Sequence, residues 1–429
     1  MALARKLRHL VAAQAFQWLP TPLIRASQLR ALRRMVRFCE RAVPLYRETF
    51  REAGVCAADL RQLADLQHFP TLTREQVVAA YPDGIRSRPT RPDDMVFRTS
   101  GTSGLFMEIA YGAAANDRLD AVYARALFNV GYRPWHRFAY FWEERRRGPA
   151  LYEQLGLMRK SFLAVSPDPR VNIAELCAID PQVIYVFPSA MMTIARVVEQ
   201  EGIAGLRPRL IICHGELLAP PIQAEIARIF RCPVYNQYGA QECNRNGWDC
   251  EAHQGMHLDA DSVHLEVLDG DQVAAPGADG ELVVTGLHND LMPLIRYRIG
   301  DAGRLLAGTC PCGRGLPRFE ITEGRLDDVL VLADGRKIGP RTLAPRIERL
   351  EGFTQYRVVQ LSPGELEVLI VCEAGADQVA ERVRQVVAES VGPAVTVTVR
   401  PVPAIELSRR GKLRKIVSQV PVDELAAGI

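Results

Sequence analysis

The chain has 429 residues, of which 48% are hydrophobic and 24% are charged, and its formal net charge is +3. This composition is typical of a folded globular protein and disfavours a disordered one, and the length suffices for one large and one smaller domain. No apolar run approaches the roughly 20 residues that span a bilayer, so we expect no integral membrane segment. The arginines form neither a long basic block nor an aromatic-interleaved face, which disfavours nucleic acid as a partner.

The first residues, MALARKLRHLVAAQAFQWL, carry basic side chains but lack the sustained apolar core and cleavage site of a secretory signal. They predict a short amphipathic helix, and a loose contact of this helix with a membrane surface is the less favoured alternative. The ten cysteines are mostly scattered, which favours reduced thiols or metal ligation over disulfides. We therefore expect a cytoplasmic protein.

The middle of the chain changes its pattern twice. Residues 27–53 have a helical apolar pattern, and from about residue 115 helices alternate with short apolar strands such as Val183–Phe187 and Leu210–Cys213. This alternation predicts an α/β domain with a parallel sheet. Between residues 263 and 306, strands separated by Asp-Gly and Pro-Gly turns predict a β-rich subdomain.

After Gly324-Arg-Leu-Asp-Asp328 the pattern restarts as a compact α+β unit of roughly 100 residues, a typical size for a small domain. Its predicted elements are a strand at 329–332, a helix near 341–351, two strands, a helix near 377–390 and a strand at 395–399. We place the boundary at Asp327, which predicts domains at 1–326 and 327–429.

The segment MVFRTSGTSGLFMEIA at residues 95–110 places glycines and hydroxyl side chains between two apolar runs. One interpretation is a hairpin loop in which the glycines adopt positive φ. The other is a phosphate cradle, because small residues let backbone N–H groups converge on an anion while the hydroxyls add donors. The Gly-Lys-[Ser/Thr] ending of a Walker A loop is absent, so a nucleotide bound here requires a different fold.

Four further segments follow this loop in the sequence. They are Tyr235–Glu242 (YNQYGAQE), Arg296–Asp301 (RYRIGD), Gly324–Asp328 (GRLDD) and Ser408–Lys412 (SRRGK). Each alone is compatible with a common turn or a solvated loop. In this order, the five segments resemble the motif set of the adenylate-forming enzymes, and the chain looks most like the phenylacetate–CoA ligase branch. Within that branch, RLDDVLVLADG at residues 325–335 resembles the group that includes CapK-type capsular polysaccharide proteins and coenzyme F390 synthetases.

The resemblance implies a large N-terminal α/β domain with a β-rich subdomain and a small, mobile α+β C-terminal domain. It also implies that a carboxylate attacks the α-phosphate of ATP, giving an acyl- or aryl-adenylate whose acyl group passes to CoA. The accumulating negative charge requires hydrogen-bond donors, Mg²⁺ and a cation. Two alternatives stay open: transfer to a carrier-protein phosphopantetheine or an amine, and a nucleotide-binding scaffold without catalysis.

The resemblance assigns nucleotide-binding roles to residues of the five segments. The loop that would bind the phosphates consists of Thr99, Ser100, Gly101, Thr102, Ser103 and Gly104. Glu242 resembles the carboxylate associated with Mg²⁺, a metal that prefers hard oxygen ligands. Tyr238, followed by Gly239, resembles the residue that stacks on adenine, and the backbone of Gly215 and Glu216 would lie along the other adenine edge.

The remaining roles concern the ribose and the small domain. Asp301 matches the acid that accepts hydrogen bonds from the ribose hydroxyls, and Arg325 matches the arginine beside it. Asp327 matches the hinge, and Lys412 matches the lysine that neutralises charge between the acid and the α-phosphate. One departure from the family pattern is Gln241, which stands where threonine is frequent.

Two cysteine-containing segments flank the β-rich subdomain, Cys250-Glu-Ala-His-Gln-Gly-Met-His257 and Cys310-Pro-Cys312. Their residue types allow either free thiols in turns or a tetrahedral Cys₃His zinc site. The resemblance implies the second, a closed structural Zn²⁺ site made by Cys250, His257, Cys310 and Cys312, with His253 as the rival histidine.

The acid pocket is the least constrained feature. It is expected to draw on Tyr140-Phe-Trp142, Tyr185-Val-Phe-Pro188 and the segment before Glu216, which favours an apolar or aromatic carboxylic acid. Core packing explains the same aromatic residues equally well. A homodimer is the default expectation for the oligomeric state.

Overall fold

The computed structural model describes residues 2–98, 107–142, 151–243, 245–325, 329–372, 375–406 and 413–420. Several predicted site residues lie outside these ranges: the loop Thr99–Gly104, Asp327 and Lys412. Arg325 is described only in its backbone, as the last residue of a strand. The predicted domain boundary at Asp327 therefore stays a prediction.

The described elements alternate between helices and strands along most of the chain. The helices are α1 Ala2–Phe16, α2 Thr21–Ala42, α3 Pro44–Glu52, α4 Arg74–Ala80, α5 Ala113–Asn129, α6 Leu151–Gln154, α7 Pro169–Ile179, α8 Pro188–Gln200, α9 Pro220–Phe230, α10 Pro340–Glu348 and α11 Ala376–Val391, with a 3₁₀ helix at Leu63–His68. The strands are β1 Met95–Arg98, β2 Glu108–Tyr111, β3 Phe138–Phe141, β4 Lys160–Leu163, β5 Val183–Val186, β6 Leu210–His214, β7 Val234–Tyr238, β8 Gly247–Trp248, β9 Met256–Leu258, β10 Val263–Asp269, β11 Gln272–Val273, β12 Gly280–Gly286, β13 Tyr297–Leu306, β14 Arg318–Arg325, β15 Leu330–Val331, β16 Lys337–Ile338, β17 Gln355–Ser362, β18 Glu365–Val371, β19 Thr396–Pro401 and β20 Ile416–Ser418.

Proline sets the start of several helices. Pro44, Pro169, Pro188, Pro220 and Pro340 each occupy the first position of a helix, where the missing N–H costs no hydrogen bond. The helical pattern of residues 27–53 is therefore divided between two helices, α2 and α3. The residue before Pro44 is extended, with φ −118° and ψ 114°, because a following proline disfavours the helical conformation.

By its internal contacts the chain divides into two compact units, each built from two stretches of sequence. The first unit comprises Met1–Gly131 and Gln237–Ile321, and the second comprises Tyr132–Asn236 and Thr322–Ile429. No helix among the described residues is both long enough and apolar enough to cross a bilayer.

The first unit contains the predicted β-rich subdomain. Its strands lie in the order β11-β10-β12-β13-β14-β9-β8, and β10 pairs antiparallel with both β11 and β12. A separate antiparallel hairpin joins β1 to β2, with Met95 opposite Tyr111 and Arg98 opposite Glu108. Residues 99–106, which lie between these two strands in the sequence, are outside the described ranges, and the choice between the two interpretations stays open.

The second unit contains the predicted parallel sheet. Its strands lie in the order β4-β3-β5-β6, and each of these neighbouring pairs is parallel. All four residues of β5 are buried, which is typical of a parallel strand covered by helices on both faces. The alternation of helices and apolar strands that predicted this sheet is confirmed.

The C-terminal part of the second unit forms the predicted α+β fold. Its four-stranded sheet has the order β19-β18-β17-β20, in which β17 and β18 pair antiparallel and the outer strands pair parallel. Helix α11 buries Val379, Val383, Val387 and Val391, a spacing of four that places one apolar stripe against the core. This core is separate from that of the parallel sheet.

Candidate active site

In the first unit, the hairpin is fixed to the turn that carries Glu242. Tyr111 is the last residue of β2, and its hydroxyl lies 2.9 Å from the backbone carbonyl oxygens of both Gln241 and Glu242. These carbonyls can share the phenol proton as acceptors. The strand that follows the predicted phosphate loop therefore positions the backbone of the predicted Mg²⁺ ligand.

The Glu242 carboxylate has a cationic partner that the sequence did not reveal. Nη1 of Arg74 lies 3.3 Å from Oε1 of Glu242, and the two side chains are only 13% and 10% exposed. Arg74 is the first residue of α4, directly after Thr73, whose side chain caps the helix. The capping pattern in TLTREQ predicts where this helix begins, but it gives no sign of a partner 168 residues away.

The predicted adenine and ribose residues lie next to each other in the same unit. The hydroxyl of Tyr238, at the end of β7, donates to Oδ2 of Asp301 on β13 at 2.6 Å. Phe319 meets the Tyr238 ring edge-on, with ring centroids 5.6 Å apart. Burial and the Asp301 carboxylate raise the pKa of Tyr238 well above its usual value, so the phenol keeps its proton and remains a donor.

The second unit holds the Gly215-Glu216 segment directly after β6. Gly215 has φ +76°, a conformation that glycine adopts without a Cβ penalty. The Glu216 carboxylate accepts hydrogen bonds from the backbone N–H and the hydroxyl of Ser189, both at 3.0 Å. Ser189 is in the first turn of α8, so Glu216 satisfies a free N–H at the start of that helix. This contact fixes the backbone that the resemblance assigns to adenine.

The aromatic residues expected at the acid pocket gather around His214 at the end of β6. The imidazole stacks on Tyr185 at 4.0 Å between ring centroids, and Phe187 and Trp142 lie at 4.8 and 6.2 Å. Tyr140 stacks on Tyr185, with ring centroids 4.8 Å apart. These side chains come from the carboxyl ends of β3, β5 and β6, the edge where parallel sheets bind ligands. His214 lies in the segment before Glu216 that was expected at the pocket, although the sequence did not single it out.

The structure brings together the four predicted zinc ligands of the first unit. The ligand atoms of Cys250, His257, Cys310 and Cys312 all lie within 4.8 Å of one another. Sγ of Cys250 lies 3.7 Å from Sγ of Cys310, and Sγ of Cys312 lies 3.2 Å from Nε2 of His257. Two sulfurs bound to tetrahedral Zn²⁺ at about 2.3 Å are separated by about 3.8 Å, so the cluster fits this metal.

The rival histidine is not part of this cluster. Nδ1 of His253 lies 2.5 Å from Oδ2 of Asp249, and its side chain is 41% exposed. By contrast, His257 is fully buried, and burial lowers its pKa to about 4. The His257 imidazole is therefore neutral near pH 7, the protonation state that ligates a metal. The geometry favours His257 over His253.

The loop that carries Cys310 and Cys312 also clamps the connection between α1 and α2. Nε of Arg314 donates to Oε1 of Gln17 at 3.0 Å, and its guanidinium lies 4.8 Å from the ring centroid of Trp18. The backbone N–H of Gly315 donates to the Gln17 carbonyl at 2.9 Å. A Cβ on Gly315 would lie 1.9 Å from the Leu19 carbonyl oxygen, so only glycine permits this approach.

The chain is similar in sequence to several known proteins. The chain is 27% identical over 434 residues to the phenylacetate-coenzyme A ligase of Thermus thermophilus, covering 93% of this chain and 97% of that protein. It is 30% identical over 321 residues to the phenylacetate-coenzyme A ligase of Aromatoleum evansii, covering 72% of each. The CapK protein of Staphylococcus aureus matches 35% of this chain at 29% identity, covering 32% of that protein. No family model matches the chain.

Solved structures support the fold. A 2-hydroxyisobutyryl-CoA ligase in the postadenylation state superposes with a TM-score of 0.76 at 21% identity, covering 96% of this chain and 94% of that one. At this identity the likeness establishes the architecture and not the substrate. The alignments with the sequence relatives cover most of both chains, and they support assignment to a family as well as to a fold. The chain belongs to the phenylacetate–CoA ligase family of adenylate-forming enzymes.

Proposed function

We propose that this protein is an ATP-dependent, AMP-forming acid–thiol ligase that activates a carboxylic acid as its acyl- or aryl-adenylate and transfers the acyl group to CoA. The observation that carries this proposal is the grouping of Tyr238 with Asp301 in the first unit, where Glu242 is held by the hairpin that flanks residues 99–104. Membership of a family whose relatives are named as CoA ligases supports it. The structure of a ligase holding an acyl-AMP has the same fold.

Glu242 is the proposed carboxylate ligand of Mg²⁺. When bound, the metal would offset the negative charge that accumulates on the phosphates. The partly buried ion pair with Arg74 orients the Glu242 carboxylate before a metal binds. Arg74 is thus a positioning residue in this proposal.

Tyr238 and Asp301 are the proposed adenine and ribose residues. The 2.6 Å hydrogen bond orients the Asp301 carboxylate and also fixes the plane of the Tyr238 ring on which a purine would stack. A carboxylate oxygen has lone pairs for more than one donor, so Asp301 can accept a ribose hydroxyl without losing Tyr238. Gly239, Gly215 and the backbone of Glu216 are the other residues proposed to contact adenine.

The other proposed roles rest on the family membership alone. Thr99, Ser100, Gly101, Thr102, Ser103 and Gly104 would bind the phosphates, and Arg325 would lie beside the ribose. Asp327 would be the hinge of a mobile C-terminal domain. Lys412 would offset the negative charge between the incoming carboxylate and the α-phosphate, a task suited to a flexible point charge.

The Cys₃His cluster is the proposed site of one structural Zn²⁺. Three thiols and one imidazole are a closed ligand set, which leaves no position for a substrate. The cluster joins a segment near residue 250 to a segment near residue 310, so the metal would cross-link the first unit.

The proposed substrate is a carboxylic acid with an aromatic or apolar body. The rings of Tyr140, Trp142, Tyr185 and Phe187 around His214 offer stacking faces to such an acid. Phenylacetate is the acid in the names of several sequence relatives. A carrier-protein thiol or an amine as acceptor, and a homodimer, stay predictions.

The test is pyrophosphate release from Mg-ATP with a panel of aryl, fatty and hydroxy acids, each with and without CoA. Lys412→Ala is the diagnostic variant, and Arg409→Ala, which removes one positive charge from the same segment, is its matched control. We expect Lys412→Ala to lower acid-dependent pyrophosphate release by about 100-fold or more. Arg409→Ala should change it little.

Each outcome has a distinct meaning. Acylated CoA together with Lys412-dependent pyrophosphate release supports the ligase and names the acid. Pyrophosphate release with unmodified CoA would move the proposal to a carrier-protein or amine acceptor. Binding of ATP without pyrophosphate release for any acid in the panel would contradict the ligase and favour the scaffold.

A further inference from the structure

Helix α1 presents an apolar face to solvent. Leu3, Leu7 and Val11 follow one another at a spacing of four residues, and they are 52%, 53% and 70% exposed. This spacing places them on one side of the helix. The other exposed positions of the helix are three alanines and a single charged residue, Arg8. A continuous apolar stripe therefore faces outward.

The ionic contacts of α1 lie on its other side, against α5. Arg5 forms an ion pair with Asp117, and Nζ of Lys6 lies 2.6 Å from Oδ2 of Asp120. A surface helix normally turns its apolar stripe toward the core and its charges toward water. Here Arg5 and Lys6 pair with α5 and Ala13 is buried, while Leu3, Leu7 and Val11 stay uncovered. The outward stripe therefore needs a partner that removes it from water.

Exposed apolar residues also lie in the α1–α2 connection and at the start of α2, and arginines follow them along α2. Trp18 and Leu23 are each 54% exposed. Further along α2, the exposed residues on the same helix face as Leu23 are arginines, and they include Arg30, Arg37 and Arg41. Positions separated by seven residues lie nearly two full turns apart, so these side chains form a row. Leu23 and these arginines thus share one face of α2.

The charge of this region decides which kind of partner fits. Residues 1–42 contain nine Lys and Arg side chains and one acidic side chain, although the whole chain has a net charge of only +3. Among the described residues, no ion-pair partner is seen for Arg8, Arg30, Arg37 or Arg41. A second copy of this chain would bring the same cationic row to a symmetric contact and be repelled. An anionic surface is attracted instead.

We propose that this surface binds the headgroup region of an anionic lipid bilayer. The membrane-binding face is formed by Leu3, Leu7, Val11, Trp18, Leu23, Arg30, Arg37 and Arg41. Helix α1 would lie in the plane of the interface, with leucine, valine and tryptophan side chains at the headgroup–acyl boundary and the arginines on lipid phosphates. The sequence alone made a membrane contact of this helix the less favoured alternative. The outward direction of the stripe now favours it.

The test is co-sedimentation of the full chain with vesicles of phosphatidylcholine containing about 30% phosphatidylglycerol, against vesicles of phosphatidylcholine alone. The apolar variant is Leu7→Gln/Val11→Gln, and its matched control is Val273→Gln, an apolar position 48% exposed on β11. The charge variant is Arg30→Gln/Arg37→Gln/Arg41→Gln. All substituted positions are solvent-exposed, so melting temperatures should stay close to that of the parent chain.

We expect binding only to the anionic vesicles, weakened by added salt. The apolar variant should bind roughly tenfold more weakly, and the charge variant about 100-fold more weakly. Val273→Gln should bind like the parent. Vesicles should also shift tryptophan emission to shorter wavelength, and Trp18→Phe should abolish the shift while Trp135→Phe, at a residue 67% exposed, preserves it.

Three results would overturn the proposal. The first is absence of binding to either vesicle. The second is equal binding to neutral and anionic vesicles, which would remove the role of the arginines. The third is an altered oligomeric state of Leu7→Gln/Val11→Gln by light scattering, which would assign the stripe to a second copy.

Discussion

Replacing Cys312 by serine should release the proposed Zn²⁺ and destabilise the first unit. The ligand cluster joins Cys250 to Cys310 across 60 residues of chain. Cross-linking a loop of that length removes chain entropy worth about 4 kcal/mol from the unfolded state. For a unit of this size, such a loss corresponds to a melting temperature lower by about 8–16 °C. The measurement is metal content by mass spectrometry together with calorimetric melting.

The matched control is Cys372→Ser, because Cys312 and Cys372 are both partly buried thiols and only Cys312 lies in the cluster. Hydrogen exchange adds a second readout, since the loop that carries Cys312 also clamps Gln17 through Arg314. Loss of the metal should raise exchange at residues 17–21. The reasoning fails if Cys312→Ser keeps its zinc and melts with the parent chain, or if Cys372→Ser is equally damaging.

Three further predictions concern single side chains. Arg74→Gln should raise the Mg²⁺ concentration needed for half-maximal pyrophosphate release by roughly 3–10-fold, because Glu242 loses its orienting ion pair; an unchanged magnesium titration would contradict this. Tyr238→Phe keeps the ring but removes its hydrogen bond to Asp301, so the KM for ATP should rise. The free energy of unfolding should change by no more than about 1.5 kcal/mol. An unchanged KM would remove Tyr238 from the site. Burial lowers the pKa of His264 to about 4. Because the unfolded chain then binds more protons, stability should fall as pH decreases from 6.5 toward 4, by about 1–3 kcal/mol, and His264→Gln should flatten that slope in urea titrations at successive pH values.

Local patterns in the sequence were sufficient to predict most of the helices and strands and to recognise the family. The spacing of apolar residues predicted α1, the parallel strands β5 and β6, and the order of elements in the C-terminal domain, because burial of one face imposes a period on each element. The break at Pro44 was available from the same rules, since a proline disfavours helix in the residue before it.

The candidate site was predictable only where residues act through a motif. The turn after β7 and the acid on β13 were located from short segments, but their 2.6 Å contact joins Tyr238 and Asp301 over 63 residues. Arg74 has no motif of its own, and His214 is the last residue of an apolar strand, a position that many core residues occupy. No local pattern distinguishes a side chain that meets a distant carboxylate or aromatic cluster from one that does not.

The sequence by itself determined the elements, the order of the motifs and the set of possible metal ligands. Tertiary structure decided between His253 and His257, because only the folded chain places His257 beside Cys312 while His253 pairs with Asp249. It also decided the direction of the apolar stripe on α1. Periodicity shows that a helix has two faces, but the long-range contacts of Arg5 and Lys6 determine which face meets the protein and which stays exposed.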